Sequence, residues 1–233
     1  MFKIYFFNEV TSTMDLIKSY PVNTAIIAKK QTKGRGKQNR VWVSDESENL
    51  YMSLSIDVDK RMDNYANFIF LTTLAMVKTI EKLTDERINI KIKWPNDILV
   101  NNKKVCGILM EIDQQNNILI IGIGLNIDKH PELAGNALFR ATNLEAEGLL
   151  VKKDAIVSEF LKNFEFYTEK FDAHSFISIR DEWLTYAYNL GKTIKVKIDS
   201  DEMSGIFDGI DLDGSLILDK NDEKFYISSG DIF

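Results

Sequence analysis

Basic side chains and glycines are concentrated in one segment of the sequence, residues 29–42, which reads KKQTKGRGKQNRVW. It holds six basic residues and no acidic one, although the whole chain has 35 acidic and 29 basic side chains and a formal net charge of −6. Gly34 and Gly36 can bring the backbone close to a ligand or take a positive φ angle. The side chains that can pair with phosphate or carboxylate groups are those of Arg35, Lys37 and Arg40. The pattern predicts a loop that binds an anion.

Three other interpretations of this segment stay open when it is considered alone: an ordinary solvated basic loop, a contact with nucleic acid, and a nuclear targeting patch. The segment is not a P-loop, because the spacing GxxxxGK[ST] is absent and neither Ser nor Thr follows Gly36 and Lys37. A nucleotide bound here would therefore be held by a different arrangement.

Three further segments carry residue types that are typical of a binding site. KIKWPND at 91–97 alternates as a strand does, which places its two lysines on one face; taken alone, it equally fits an edge strand with solvated lysines. KKVCGILME at 103–111 contains Gly107, which indicates a bulge or the close approach of a ligand within a strand. GIGLN at 122–126 is a strand with two glycines that ends on a polar amide.

Hydrophobic periodicity predicts the elements that position these segments. Alternating patterns and short apolar runs predict strands at 3–7, 24–29, 49–57, 89–94, 98–100, 104–112 and 118–126. Helical spacing predicts helices at 11–15, 63–83 and 152–172, the last with a buried stripe of Ile156, Phe160, Phe164 and Tyr167. This arrangement favours an α+β fold, in which a mixed or antiparallel sheet is flanked by helices.

The character of the sequence changes after Trp183. Short strands are predicted at 193–198, 203–208, 215–218 and 224–228, joined by turns rich in Asp, Gly and Asn. They predict a small all-β, barrel-like domain. Two domains are therefore expected, at 1–186 and 187–233.

The composition disfavours several classes of protein. A net negative charge disfavours nucleic acid and anionic membranes as general partners. Cys106, the lone cysteine, lies in an apolar run and is predicted to be buried. Because the two histidines, His130 and His174, are far apart in the sequence, no zinc site is expected. The sequence lacks the pattern of a signal peptide and any run of transmembrane length, so a cytoplasmic location is expected.

Together, and in this order, the four segments resemble the biotin protein ligase family. The matching residues are Ser12-Thr13, Gln31, GRGxxxRxW at 34–42, KWPND at 93–97, KxxGIL followed by Glu111, and GIGLN at 122–126. The resemblance covers residues 8–126 at the level of motifs. It resumes at 205–214, where GIFDGIDLDG is similar to the turn-rich C-terminal domain of the family.

The resemblance implies a fold and an activity. The fold would be a biotin/lipoate ligase catalytic domain, similar to class II aminoacyl-tRNA synthetases, followed by a small SH3-like β-barrel. The activity would be that of a biotin-[acetyl-CoA-carboxylase] ligase, which forms biotinyl-5′-AMP from ATP and biotin. Biotin would then pass to a lysine of a biotin carboxyl carrier protein or domain. Mg²⁺ would accompany ATP, and no metal site built from side chains is expected.

The resemblance also assigns roles to residues. Those expected to bind biotin are Ser12, Thr13, Met14, Gln31, Gly34, Arg35, Gly36, Lys37, Lys93 and Gly107. Those expected to bind ATP are Arg35, Lys37, Arg40, Trp42, Lys93, Asn96, Lys104 and Asn126. The catalytic cations, which neutralise the negative transition state, would be Arg35, Lys37 and Lys93. In this assignment Ser12, Thr13 and Gln31 bind the ureido ring of biotin, and Met14 lines the wall of the pocket. For Ser12, the alternative is a helix-capping role together with Asp15.

The chain departs from the family pattern at both ends. Repressor-type members carry a helix-turn-helix domain before the catalytic domain, whereas the Ser-Thr pair here begins at residue 12, so DNA binding is not expected. Longer members continue beyond the last residues of this chain with an arginine-bearing segment that reaches the nucleotide. A homodimer that pairs through a sheet edge, such as strand 118–126, is a further expectation.

Two alternative functions remain at this stage. A lipoate or octanoate protein ligase shares the fold and the chemistry, but would carry an arginine-rich and triple-glycine motif in place of GRGKQNRVW. A nucleic-acid-binding module would explain the basic segment, but neither Gln31 nor the KWPND and GIGLN motifs.

Overall fold

The structure is a computed structural model, and it describes residues 1–57, 65–84, 88–114, 116–131, 140–198 and 201–233, apart from the side chains at 39 and 172–175. The strands of the larger sheet are β1 (Lys3–Val10), β2 (Thr24–Gln31), β3 (Leu50–Asp57), β4 (Ile90–Lys93), β5 (Asp97–Val100), β6 (Lys103–Asp113) and β7 (Ile118–Leu125). Their order is β1-β2-β3-β7-β6-β5-β4. Strands β1 and β2 are parallel and the other pairs are antiparallel, which confirms the predicted mixed sheet.

Strand β7 lies in the interior of this sheet. It pairs with β3 on one side and with β6 on the other. Its residues from Leu119 onward are buried, which is why the sequence is almost continuously apolar rather than alternating. The prediction that 118–126 forms a sheet edge available to a second copy is therefore wrong, because the edges of this sheet are β1 and β4.

Three helices flank the sheet in the described part of the chain: α1 (Thr13–Leu16), α2 (Phe68–Thr84) and α3 (Lys153–Tyr186). Helix α2 packs against α3 and against strands β5 and β6. Helix α1 contacts β2, β3 and β7 and forms a separate cluster with Ile26 and Ile120, whereas their neighbours Ile27 and Ile121 belong to the larger core. Because side chains alternate along a strand, α1 lies on the opposite face of the sheet from α2 and α3.

The predicted helices are confirmed in place but differ in length. The start of the predicted helix at 63–83 falls partly outside the described residues, and a short 3₁₀ turn, Tyr65–Asn67, precedes α2. Helix α3 continues 14 residues beyond the predicted end at 172, because residues 173–186 contain neither glycine nor proline. Its predicted apolar stripe is buried.

The second sheet is built from residues after α3. Its strands are β8 (Thr193–Ile198), β9 (Asp201–Ile210), β10 (Leu216–Lys220), β11 (Glu223–Ile227) and β12 (Asp231–Ile232). All pairs are antiparallel, in the order β11-β10-β9-β8-β12. The sequence did not predict β12. Closure into an SH3-like barrel, and the division between 186 and 187, stay predictions.

Both sheets share one hydrophobic core, which includes Cys106 as predicted. The Trp94 indole Nε1 donates to the Gly214 carbonyl at 3.1 Å, and the Asn67 amide donates to the Leu212 carbonyl at 2.9 Å. Gly214 has φ +87°, and a Cβ there would lie 2.8 Å from the ring of Phe70. These contacts fix the second sheet against the first.

Candidate functional site

A cavity of about 1000 Å³ opens on the α1 face of the larger sheet. The predicted site residues that line it are Ser12, Thr13, Met14, Gln31, Arg35, Gly36, Lys37, Arg40, Trp42, Lys93, Asn96, Lys104, Gly107 and Asn126. Gly34 is the predicted site residue that does not line it. The basic segment, the strand motifs and the Ser-Thr pair therefore converge on one cavity, although they are separated by up to about a hundred residues in the sequence.

One end of the cavity is neutral and polar. The Gln31 carbonyl oxygen Oε1 accepts from the Thr13 backbone N–H at 2.9 Å and from the Thr13 hydroxyl at 3.1 Å. The Gln31 Nε2 donates to the Ser44 hydroxyl at 2.9 Å, and the Ser53 hydroxyl donates to Thr13 Oγ1 at 2.8 Å. Gln31 and Thr13 are thus held in fixed orientations by the protein, and Ser44 and Ser53 are supports that the motifs did not reveal.

Ser12 differs from these residues because its buried hydroxyl has no hydrogen-bond partner. It occupies the N-cap position of α1, but its side chain makes no capping hydrogen bond. The predicted capping box with Asp15 is therefore wrong. Leaving such a group unpaired costs about 1–3 kcal/mol, and the hydroxyl lines the cavity. A polar ligand with a donor or acceptor at this end of the cavity would satisfy it.

Glycines in β6 and β7 make room for two cavity side chains. A Cβ at Gly122 would lie 2.5 Å from the Met14 sulfur, and a Cβ at Gly124 would lie 2.3 Å from the Trp42 ring. Gly107, the cross-strand partner of Gly124, would place a Cβ 2.8 Å from the same ring. Gly107 was predicted to admit a ligand, whereas the space beside it holds the Trp42 indole. The bulge lies nearby, where the β5–β6 register shifts.

For the two glycines of the basic segment, one of the two predicted alternatives, a positive φ angle, is wrong. Neither has a positive φ angle; Gly36 has φ −122° and ψ 179°, and the positive φ in this segment is that of Gln38, at 55°. Gly34 is needed for packing instead, because a Cβ there would lie 2.3 Å from the Trp42 carbonyl oxygen. Gly34 and Trp42 are joined by a backbone hydrogen bond of 3.0 Å, which closes the segment into a loop.

Cations gather at the other end of the cavity around a buried carboxylate. Asp97 lies 2.6 Å from the Lys104 ammonium and 3.5 Å from the Lys93 ammonium. Burial alone would raise the pKa of Asp97, but the two ammonium groups hold it below its usual value. Burial lowers the pKa of Lys93, whose side chain is 7% exposed. Asp97 is part of KWPND, yet its bridging role was not predicted.

The second sheet supplies further groups at this end. The Lys37 ammonium donates to the Gly230 carbonyl at 3.0 Å, and Arg40 forms an ion pair with Asp231. Burial lowers the pKa of Lys37, against the opposing effect of the Asp231 and Asp97 carboxylates. The other lining residues from this sheet are Lys197, Glu202 and Phe233. No sequence motif indicated them, since strand pairing places them: Lys197 lies opposite Asp231 in the β8–β12 pair and opposite Glu202 in the β8–β9 pair.

Arg35 lies in a different electrostatic setting from the lysines. Its guanidinium contacts both oxygens of Glu111, at 2.7 and 3.0 Å, and one oxygen of Asp15 at 3.0 Å. Two carboxylates therefore compensate its charge. Glu111 had been noted only as part of a motif, and Asp15 only as a capping partner.

The two predicted amides are also engaged by the protein. Asn96 Nδ2 donates to the Ile108 carbonyl at 2.6 Å, and Asn126 Nδ2 donates to the Thr142 carbonyl at 3.0 Å. The Glu147 carboxylate holds Thr142 in place. It accepts hydrogen bonds from the Thr142 hydroxyl at 2.6 Å, from the Lys103 ammonium at 2.7 Å and from the Asn101 amide at 2.9 Å. These three contacts hold the pKa of Glu147 at about 2 although burial opposes the shift.

Among the described residues, no group of three or more His, Cys, Asp or Glu side chains is placed to hold a metal ion. None of the helices in the described ranges combines the length and apolar character needed to cross a bilayer.

The sequence matches two family models: the biotin/lipoate A/B protein ligase family at residues 6–128, and the biotin protein ligase C terminal domain at residues 190–233. The bifunctional ligase/repressor BirA of Bacillus subtilis is 34% identical over 217 residues, which cover 91% of this chain and 66% of that protein. The chain thus spans just under two thirds of that relative. The biotin–[acetyl-CoA-carboxylase] ligase of Paracoccus denitrificans is 30% identical, with 89% of each chain covered.

The fold is similar to that of a solved structure, the biotin protein ligase of Aquifex aeolicus in complex with biotin and ATP. The TM-score is 0.85 at 27% identity, and 99% of this chain and 97% of that chain are covered. The family match extends over more than half of the residues, and it includes every motif from which the cavity is built. The chain therefore belongs to the biotin/lipoate A/B protein ligase family.

Proposed function

We propose that the protein is an ATP-dependent biotin protein ligase. It would form biotinyl-5′-AMP from biotin and ATP and transfer the biotinyl group to a lysine of a carrier protein or domain. The observation that carries this proposal is the composition of the cavity, in which a neutral hydrogen-bonding end and a cluster of lysines face the same space. Related proteins that carry this name, and the Aquifex ligase with biotin and ATP, support it.

The neutral end suits a ureido ring. Such a ring offers N–H donors and a carbonyl acceptor, and the unpaired hydroxyl of Ser12 can serve either kind. Thr13 and Gln31 are fixed beside it. Apolar side chains continue the wall away from these polar groups; they are Met14, Met52, Ile108, Leu109 and Ile123. This surface suits the hydrocarbon part of a small acid.

The cationic end suits the reaction of two anions. In the first step a carboxylate oxygen attacks the α-phosphorus of ATP, a new P–O bond forms and pyrophosphate leaves. Lys37, Lys93 and Lys104 would balance the negative charge that builds up, and preorganised groups of this kind are each worth about 100- to 1,000-fold in rate. In the second step a lysine amine attacks the acyl carbon and AMP leaves. No covalent nucleophile of the enzyme is required.

We propose that Mg²⁺ enters with the nucleotide. The carboxylates that line the cationic end are already paired: Asp97 with two lysines, Asp231 with Arg40, and Glu202 with Lys195. Oxygen ligands for Mg²⁺ would then come mainly from the phosphates and from water, as is common for this ion.

The acceptor is proposed to be the carrier domain of a biotin-dependent carboxylase, by analogy with the name of the Paracoccus relative. A cytoplasmic location, the lack of DNA binding and a homodimer stay predictions. A dimer that extends the larger sheet would have to use β1 or β4.

Acid-dependent exchange of pyrophosphate into ATP tests the proposal. Biotin, lipoate and octanoate are supplied separately with Mg²⁺, and we expect exchange with biotin. Exchange with lipoate or octanoate, but not with biotin, would favour the alternative ligase of the same family and overturn the substrate assignment.

A further inference from the structure

Two sets of charged contacts attach the basic loop, residues 32–41, to the rest of the molecule. At one end, Lys37 and Arg40 contact Gly230 and Asp231 of the second sheet. At the other end, Arg35 contacts Asp15 in α1 and Glu111 in β6. The loop therefore crosses the cavity with an anchor on each side.

The anchor at Arg35 has favourable geometry. Glu111 accepts one guanidinium N–H hydrogen bond at 3.0 Å, and its other oxygen lies 2.7 Å from the second terminal nitrogen of Arg35, so both carboxylate oxygens face the cation. Asp15 receives a third contact, and Lys18 lies 3.7 Å from Glu111. The Arg35 side chain is 34% exposed, so water weakens each pair, but one cation is shared by two carboxylates from different elements.

We propose that Asp15 and Glu111 are positioning residues. Acting through Arg35, they hold the basic loop over the cavity and slow the escape of the bound acid and of its acyl adenylate. The identity of the ligand in this proposal rests on the proposed function. The part that concerns how the loop is held does not depend on it. It also gives Arg35 a role that differs from direct neutralisation of the reacting groups.

The two roles of Arg35 predict opposite effects when a carboxylate is removed. If Arg35 binds the anionic ligand directly, Glu111 competes with that ligand, and removing its charge strengthens binding. If Arg35 is an anchor, removing the charge of Glu111 frees the loop and weakens retention. The sign of the change in affinity therefore separates the two roles.

The test uses the full chain with Glu111→Gln and, separately, Asp15→Asn. Hydrogen exchange of the loop amides is measured without ligand, in particular at Gly36 and Arg40, whose N–H groups donate hydrogen bonds to carbonyls within the loop. The dissociation rate of radiolabelled biotin is measured next. We expect both rates to rise by about two- to fivefold in either variant, with no change in the exchange of β7.

Two controls make the assignment specific. Glu9→Gln removes one carboxylate from the exposed Lys30–Glu9 ion pair, whose charged atoms are 2.7 Å apart and do not line the cavity, and should change neither rate. In an Arg35→Gln background, Glu111→Gln should have no further effect, because Glu111 acts through Arg35. An additional effect in that background would show that Glu111 acts by another route, and would overturn the proposal.

Unchanged loop exchange in both variants would contradict the proposal. Tighter binding of biotin or ATP after Glu111→Gln would also contradict it, since Arg35 would then be an anion-binding residue. If the wild-type chain binds no biotin, the proposed function fails, whereas the exchange of the loop amides still decides whether the carboxylates hold the loop.

Discussion

The two ends of the cavity are built on different physical principles. At the neutral end, Thr13 and Gln31 are fixed by hydrogen bonds between uncharged groups, and the buried hydroxyl of Ser12 has no hydrogen-bond partner. At the cationic end, Lys93 and Lys104 share the buried carboxylate of Asp97. The first arrangement distinguishes a ligand by shape and hydrogen bonding, and the second stabilises charge. Substitutions at the first end should therefore change affinity for the acid, and those at the second should change the reaction rate or the KM for ATP.

The largest effect is expected at the cationic end. Lys93→Ala should lower the rate of adenylate formation by at least about 100-fold, because a preorganised cation is lost from the site where charge develops. Pyrophosphate exchange measures the rate, and thermal unfolding shows that the fold survives. Lys91→Ala is the matched control, since Lys91 lies in the same strand but contacts the Thr185 carbonyl of α3 at 3.5 Å. A near-normal rate for Lys93→Ala would remove Lys93 from the mechanism.

Two glycines in β7 allow the difference between the neutral end and the cationic end of the cavity to be tested within one strand. Gly124→Ala would collide with the rigid ring of Trp42, and Gly122→Ala with the flexible side chain of Met14. Overpacking of this type costs about 1–3 kcal/mol. We expect Gly124→Ala to raise mainly the KM for ATP and Gly122→Ala mainly the KM for biotin, with the larger effect at Gly124. Equal effects of each variant on both KM values would mean that the two ends are not separate.

Ser12→Ala should weaken biotin binding by about tenfold, through the loss of one hydrogen bond in a dry pocket. It should not destabilise the free protein, because the hydroxyl has no partner there. Ser55→Ala is the contrasting variant: its buried hydroxyl contacts the Pro21 carbonyl at 3.4 Å and lies outside the cavity, so stability should fall and biotin affinity should not. Calorimetric titration and thermal unfolding measure the two quantities.

The smallest effect on ligand binding is expected behind the cationic end, where the change is one of stability. Glu147→Gln should lower the free energy of unfolding by about 1–3 kcal/mol at neutral pH, because a buried carboxylate with three donors is lost. The folded pKa of Glu147, about 2, lies below its ordinary value of 4.5, so its contribution is present above pH 4.5 and is lost as pH falls towards 2.

Urea titrations across this pH range measure the difference between Glu147→Gln and the wild-type chain. That difference should shrink as the pH falls. A constant difference would mean that the carboxylate charge is not what stabilises the segment around Thr142.

The sequence predicted the features that depend on residues close together in the chain, but not the contacts between residues that are far apart in the sequence. The predicted site residues other than Gly34 line one cavity, because each motif carries its own strand or loop; their roles stay predictions. Asp231 and Lys197 could not be predicted as cavity residues, since a pairing of two short strands brings them there. Likewise, Asp15 was given a local capping role because its partner, Arg35, is 20 residues away in the sequence.

The glycines show a second limit. The missing side chain at Gly107 was attributed to a bulge or to the close approach of a ligand, whereas the structure shows that the Trp42 ring occupies the space beside it. A sequence indicates where volume is missing, but it does not show which side chain fills that volume.

A crystal structure of the chain with biotinyl-5′-AMP tests the central claim most directly. The account predicts that the ureido ring lies within hydrogen-bonding distance of the Ser12 hydroxyl, and that the phosphate lies between the Lys93 and Lys104 ammonium groups. A phosphate bound elsewhere, with Lys93 directed away from it, would contradict the account.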